Sequence, residues 1–247
     1  MAGSIIPSVS SALSSVLPQN PTREKTKVLA FDAFPIFDPR PVFALAEELY
    51  PGKGQELSNI WRIKQFDYQW LRVLSDQYRD FWTVTKDALI FACKTVKVEW
   101  SEEKSAKLMN AWLNMKTWPD VRPALLTAKE TGIQLVFLSN MTEKMLRTNI
   151  KNNDLDELFS HVISTDAIHS YKPDPKAYRL AMDQLKLKKS EIGFVAFAGW
   201  DAAGAKSFGY PTFWINRQQQ EMEELGVAPD WTGHNLEELV SYIKSRD

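Results

Sequence analysis

The sequence predicts an α/β fold in which helices cover both faces of a parallel β-sheet and a helical cap is inserted after the first strand. Short apolar runs of strand length alternate with helical patterns over most of the chain. Such alternation is typical of parallel sheets with right-handed helical connections. The exception is the stretch 41–116, which shows helical periodicity and no strand pattern.

Five apolar runs have the length and the aromatic or β-branched content of buried strands. They are 27–31, 134–138, 161–164, 192–198 and 212–215. The helical patterns outside the cap are 119–132, which ends at a Gly stop signal, 141–151, 175–185, 202–207 and 236–243. Together these elements predict one core domain.

The inserted stretch 41–116 predicts a cap over the sheet edge. Apolar residues from Leu57 to Tyr78 follow helical spacing, and Phe66 and Trp70 lie on a second apolar face. A helix that is apolar on two faces must be covered on both. The expected organisation is a disordered tail at 1–24, which is rich in Ser and Pro, a core formed by 25–40 and 117–247, and a cap at 41–116.

The amino-acid composition disfavours several classes of partner and location. The 30 Lys and Arg nearly balance the 31 Asp and Glu, which disfavours a nucleic-acid or membrane-surface partner. No apolar run approaches the roughly 20 residues of a membrane span. The single cysteine, Cys93, lies in an apolar helical pattern and is expected to be buried and inert, which favours a reducing, cytoplasmic location.

Polar side chains stand where four predicted strands end. Asp32 follows the first strand, Ser139 and Asn140 the second, Lys172 the third and Asp201 the fourth. Ligands of open α/β sheets bind just beyond these strand ends. An Asp there can be a nucleophile, a metal ligand or a base, while Asn140 and Asp201 can also be simple helix N-caps.

These motifs resemble those of the haloacid dehalogenase (HAD) superfamily, and more narrowly those of the type II L-2-haloacid dehalogenases. The similarity extends over about residues 27–232 and includes the cap, which is the part specific to the subfamily. It rests on the segments 51–54, 57–72, 80–82, 87–89, 138–140, 171–174, 200–205 and 214–217. The resemblance implies a Rossmann-like core, a helical cap and a homodimer.

The resemblance also implies a reaction. Asp32 would displace halide from C2 of a 2-haloalkanoic acid, and water would then cleave the resulting ester. Lys172 would keep Asp32 ionised, and Asp201 would orient Lys172 or assist the water. Phosphatases of the superfamily carry a second acid two residues after the nucleophile, where it holds Mg²⁺ and protonates the leaving group. Phe34 can do neither, so no metal or cofactor is expected.

By the same resemblance, Ser139 and Asn140 would bind the substrate carboxylate. Arg62 would stabilise the departing halide, although its guanidinium could instead lie in water above an apolar surface. Three other positions match the family's pocket: Phe81, Trp200 and Tyr178. Core packing is the alternative for the first two, and a solvated phenol is the alternative for the tyrosine.

Two departures from the family pattern affect the chemistry. The segment 32–38 is one residue shorter and lacks the usual Gly and Thr, so Pro35 must build a different turn and a hydroxyl donor to Asp32 is missing. Ala196, Phe197 and Ala198 replace the usual Ser and Asn, and losing one such donor costs ~10²–10³ in rate. Phe197 would also take up space in the cavity.

Three interpretations therefore stay open. The first is a haloacid dehalogenase with compensating groups. The second is a related lyase, cyclase or other hydrolase acting on another small molecule, with Asp32 as base or nucleophile. The third, a non-catalytic member of the fold, is disfavoured because the acidic, basic and hydroxyl side chains at the strand ends all remain.

Overall fold

The structure is a computed structural model that describes residues 25–245, so the tail predicted at 1–24 lies outside the described residues. Six parallel strands form one sheet in the order β3-β2-β1-β4-β5-β6. The strands are β1 (Val28–Phe31), β2 (Gln134–Ser139), β3 (His161–Ser164), β4 (Ile192–Ala196), β5 (Thr212–Ile215) and β6 (Trp231–Gly233). The α/β fold with a parallel sheet is confirmed.

The sheet is buried on both faces, as its apolar strands predict. In β1, Leu29 and Phe31 face one apolar cluster while Val28 and Ala30 face the other. The five predicted strands are present, although β4 ends two residues earlier than expected. Only β6 escaped the sequence analysis, because three residues are too short to show a period.

Five helices pack around the sheet. They are α5 (Val121–Glu130), α6 (Glu143–Asn152), α7 (Pro175–Leu185), α8 (Gly199–Phe208) and α9 (Leu236–Lys244). Each overlaps one predicted helix. Gly209 ends α8 with a φ of 104°, a left-handed conformation that glycine adopts without strain.

The chain between β1 and α5 is helical and contains α1 (Arg40–Leu49), α2 (Gly54–Leu74), α3 (Phe81–Val96) and α4 (Glu102–Ala111). Helices α2 and α3 pack along each other, and Asp80 and Ser101 cap α3 and α4 by accepting from backbone N–H groups. The two segments that join these helices to the sheet pair through an antiparallel bridge between Phe37 and Thr117. None of the helices within 25–245 is long and apolar enough to cross a membrane.

Helix α2 presents its two apolar faces differently from the expectation. Phe66 and Trp70 pack against Trp200 of the core at 5.5 Å between ring centroids, so this face is covered. Leu71 and Leu74, expected to be covered within the cap, are 59% and 84% exposed. The helix ends at Leu74, so the last part of the predicted apolar face lies at the exposed end of the helix.

Candidate active site

A buried ion cluster lies where β1, β4 and the segment after β3 meet. The Lys172 Nζ lies 2.9 Å from Asp32 Oδ1 and 2.6 Å from Asp201 Oδ2. Lys172 is fully buried, and the two carboxylates raise its pKa although burial opposes this. An ammonium between two ionised carboxylates leaves the cluster with one net negative charge. Asp32 can use this charge to attack a reacting atom.

Asp201 and Tyr178 form a second layer of this cluster. The Tyr178 hydroxyl donates to Asp201 Oδ1 over 2.8 Å. Burial raises the pKa of Asp201 to about 6, while Lys172 lowers it and Asp32 raises it. The N-cap of α8 is Ala198, so the cap interpretation of Asp201 is wrong; Tyr178 is completely buried, so the solvated phenol is wrong too.

The two oxygens of Asp32 have different partners. Oδ1 accepts from Lys172 and, over 3.3 Å, from the Ser139 hydroxyl. Oδ2 accepts only from the Phe34 backbone N–H at 3.2 Å among the hydrogen bonds found within 25–245. The hydroxyl donor expected to be missing is therefore supplied by the end of β2, and Oδ2 is the less saturated oxygen.

The turn after Asp32 is fixed through its carbonyl groups. Trp118 Nε1 donates to the Phe34 carbonyl over 2.9 Å, and Arg217 Nη2 donates to the Pro35 carbonyl over 2.9 Å. Arg217 also forms a buried ion pair with Asp120 at 2.8 Å. The core thus holds this shortened turn from outside, which explains how it keeps its shape without the usual Gly and Thr.

Asn140 differs from the expectation. Its Nδ2 donates to Gln69 Oε1 over 2.9 Å and to the Lys172 carbonyl over 3.3 Å, and its Oδ1 accepts from the Lys172 N–H over 2.8 Å. Both amide hydrogens are therefore used inside the protein, so a side-chain contact with the substrate carboxylate is not supported. The amide instead joins α2 to the segment that carries Lys172, and α6 is capped by Thr142 rather than by Asn140.

A cavity of about 40 Å³ opens beside the ion cluster, which exceeds the ~10–15 Å³ that one water needs. Half-buried Arg62 lines it from α2, and burial alone lowers the pKa of this guanidinium, with no carboxylate within 25–245 opposing the shift. The interpretation with the guanidinium in free water does not fit this placement. No group of three or more His, Cys, Asp or Glu side chains in the described part of the chain is arranged to hold a metal ion.

Aromatic rings form a large part of the cavity wall. The predicted Phe34, Phe81, Phe197 and Trp200 all line it, together with Asp32, Ser139, Asn140 and Asp201. Phe197 packs against Phe34 at 6.0 Å between centroids, so it does occupy space beside the reacting groups. Lys172 and Tyr178 lie behind this wall and act through Asp32 and Asp201.

The sequence analysis missed several lining residues. Gln65, Phe66 and Gln69 follow Arg62 at helical spacing, so the face of α2 that carries Arg62 could have identified them. Trp112 and Phe43 carried no such signal, because each comes from a segment whose approach to the cavity depends on the packing of the whole cap.

Comparisons with known proteins agree with this geometry. A family model described as haloacid dehalogenase-like hydrolase matches residues 72–215. Haloacetate dehalogenase H-2 from Moraxella sp. (strain B) is 36% identical over 221 residues, which are 89% of this chain and 99% of that protein. The (S)-2-haloacid dehalogenase from Pseudomonas sp. (strain YL) is 36% identical over 220 residues, 89% of this chain and 95% of that protein.

Solved structures show the same similarity. The L-2-haloacid dehalogenase RSc1362 matches with a TM-score of 0.87 and 38% identity, covering 89% of this chain and 99% of that one. The L-2-haloacid dehalogenase from Xanthobacter autotrophicus with chloropropionic acid covalently bound matches with a TM-score of 0.83 and 30% identity, covering 90% and 100%.

Proposed function

The chain belongs to the haloacid dehalogenase-like hydrolases, and we propose that it hydrolyses the carbon–halogen bond of (S)-2-haloalkanoic acids. One observation carries this proposal. The ion-paired carboxylate of Asp32 opens onto a small aromatic cavity that is also lined by Arg62, a guanidinium with no ion partner within 25–245. A nucleophile and an acceptor for a departing anion are the two groups that halide displacement needs. The curated relatives favour this dehalogenase interpretation over the alternative of a lyase, a cyclase or another hydrolase.

In the proposed first step, Asp32 Oδ2 attacks C2 of the substrate. This oxygen keeps a free lone pair because it accepts only from the Phe34 N–H, whereas Oδ1 is held by Lys172 and Ser139. The bond from C2 to the halogen breaks as the bond from oxygen to C2 forms. The halide leaves with the bonding electrons towards Arg62.

In the proposed second step, water attacks Cγ of the Asp32 ester. Charge then develops on Oδ1, where the Lys172 ammonium and the Ser139 hydroxyl already donate. Donors placed in advance at a developing oxyanion contribute ~10²–10³ each. Asp201 takes the proton of the water, because its pKa of about 6 leaves it ionised at neutral pH and able to act as a base. Tyr178 orients it.

The proposal also includes a role for the helical segment 41–116 and an oligomeric state. We propose that the segment 41–116 acts as a cap that brings Arg62 to the core site, and that two copies of the chain form a homodimer. Exposed Ile63, Leu71 and Leu74 on α2 supply an apolar surface for the second copy. A cytoplasmic location is proposed from the single, buried thiol of Cys93.

The test is halide release from (S)-2-chloropropionate and bromoacetate, with Asp32→Asn as the control. Wild type is expected to release halide and the variant none. A single turnover in water enriched in heavy oxygen should then place the label in the carboxyl group of Asp32, measured by mass spectrometry of its peptide. Label in the product alone would mean direct attack by water and would refute the ester. No halide from either compound would refute the proposed function.

A further inference from the structure

Trp112 carries a buried polar atom for which the structure provides no partner. Its side chain is 1% exposed, and its Nε1 has no hydrogen-bond acceptor within residues 25–245. Buried N–H groups are nearly always paired, since an unpaired one costs ~1–3 kcal/mol. Trp112 also lines the cavity beside Asp32. An unpaired donor on a residue that lines a binding cavity points to an acceptor that binds there.

The ring of Trp112 contacts aromatic residues of the cap and of the turn after β1. Its ring packs edge-on against Trp61, the residue before Arg62, at 5.9 Å between centroids, and against Phe81 at 6.2 Å. It also contacts Phe34 at 6.1 Å, two residues after the proposed nucleophile. Trp112 therefore spans the distance from the cap to the turn that carries Asp32.

The other donors of the wall are largely occupied. Gln65 donates to the Thr85 hydroxyl over 2.7 Å, and Gln69 donates to the Gln65 carbonyl over 3.1 Å. Both hydrogens of Asn140 are used, as described above. Within the described part of the chain, the lining donors without an assigned acceptor are thus Arg62, Trp112 and Trp200, and of the two indoles only that of Trp112 is buried.

We propose that the indole N–H of Trp112 is a second donor to the departing halide, beside Arg62. This inference rests on the proposed function. As Asp32 Oδ2 forms its bond to C2, the halide leaves with the bonding electrons and accepts hydrogen bonds from the guanidinium and the indole, both of which keep their protons. Hydrogen bonds to an ionised acceptor are stronger than neutral ones, so this donor acts mostly as charge develops.

The proposal predicts a dependence on the leaving group. Chloride is smaller and a stronger hydrogen-bond acceptor than bromide, so Trp112→Phe should reduce kcat/KM, which reports the displacement step, about tenfold or more for 2-chloropropionate and clearly less for 2-bromopropionate. Trp61→Phe is the matched control. Trp61 belongs to the same aromatic cluster, but its Nε1 donates to the Thr85 carbonyl over 2.8 Å, so its loss should leave the chloride-to-bromide ratio unchanged.

A second measurement does not require turnover. The chain has nine Trp, so the indole N–H signals in an NMR spectrum can be assigned by the one lost in Trp112→Phe. Titration of the wild-type protein with sodium chloride at constant ionic strength should move the Trp112 signal saturably, and the Trp61 signal should not follow.

The outcomes separate the two proposals. If the wild type releases no halide from any haloacid, the proposed function fails, while the chloride titration still tests Trp112. If the wild type releases halide but Trp112→Phe keeps the wild-type leaving-group ratio, or the Trp112 signal does not respond to chloride, the inference is overturned and the function stands.

Discussion

Gly204 offers a sharp test of how Tyr178 and Asp201 work together. It lies in α8, one turn after Asp201, and a Cβ at this position would lie 2.5 Å from the Tyr178 hydroxyl oxygen and 2.8 Å from Pro173 Cβ. Ordinary contact begins at 3.4 Å, so Gly204→Ala must displace the hydroxyl by about 0.9 Å. If the hydroxyl moves directly away from Asp201, their hydrogen bond, now 2.8 Å, lengthens to roughly 3.7 Å, beyond hydrogen-bond range.

The magnitude follows from opposing effects. Overpacking costs ~1–3 kcal/mol, and replacing a helical Gly by Ala returns ~1 kcal/mol, so the free energy of unfolding should fall by about 0–2 kcal/mol. Asp201 would lose its orienting donor, and kcat for halide release should fall about tenfold to a hundredfold, because general-base catalysis contributes ~10²–10⁴.

The assay is a double-mutant cycle with Tyr178→Phe, which removes the oxygen that the new Cβ would meet. In the Tyr178→Phe background, Gly204→Ala should lower kcat by much less than in the wild type. Thermal unfolding of all four proteins checks that each is folded. An unchanged kcat in Gly204→Ala, or an equal loss in both backgrounds, would refute the argument that this glycine makes room for the tyrosine hydroxyl.

Four further predictions concern Asp201, Arg217 and the exposed face of α2. Because Asp201 must be ionised to take a proton in the step that follows halide release, kcat should fall as pH drops through about 6, and a kcat profile that stays flat to about pH 5 would contradict this role. The raised pKa means that the folded state holds a proton which the unfolded chain releases, so the contribution of Asp201 to stability should decrease as pH rises from 3.8 to about 6. Arg217→Gln should lower the free energy of unfolding, measured by urea titration, by ~3 kcal/mol. The change leaves Asp120 buried without its ion partner and removes the donor to the Pro35 carbonyl. A loss below about 1 kcal/mol would contradict a structural role. Leu74→Glu should convert a dimer to a monomer in light scattering, whereas Leu126→Glu, at another exposed leucine, should not, and equal masses for all three proteins would refute the α2 surface as the dimer contact.

The strands and core helices could be predicted because their signals are local. A buried parallel strand is a short apolar run, and Gly209 marks the end of α8 by a conformation that other residues avoid. The exposure of Leu71 and Leu74 could not be predicted, because periodicity shows only that a face is apolar. Whether such a face meets the same bundle or another molecule depends on where α2 ends relative to α3.

At the site, the sequence identified the groups but not their partners. Asp32, Lys172 and Asp201 could be named from their positions at strand ends, because the topology brings those ends together. The sequence does not show that Oδ1 and Oδ2 of Asp32 have different partners, or that the Asn140 amide binds Gln69 and Lys172. Both findings depend on differences in distance of a few tenths of an ångström. No pattern of residue types contains that information.

The two departures in sequence share one physical consequence. The short turn at Pro35 and the apolar residues Ala196 and Ala198 both remove donors that would lie next to the reacting groups, and in both places the support now comes from further away. Trp118 and Arg217 hold the turn through its carbonyl groups, and Tyr178 holds Asp201. Support from outside the cavity leaves the wall itself apolar, which strengthens each charge interaction across it because the local dielectric is low. In an apolar wall each remaining donor stabilises a nearby charge more strongly. Stabilisation of the departing halide should therefore depend strongly on Arg62 and Trp112.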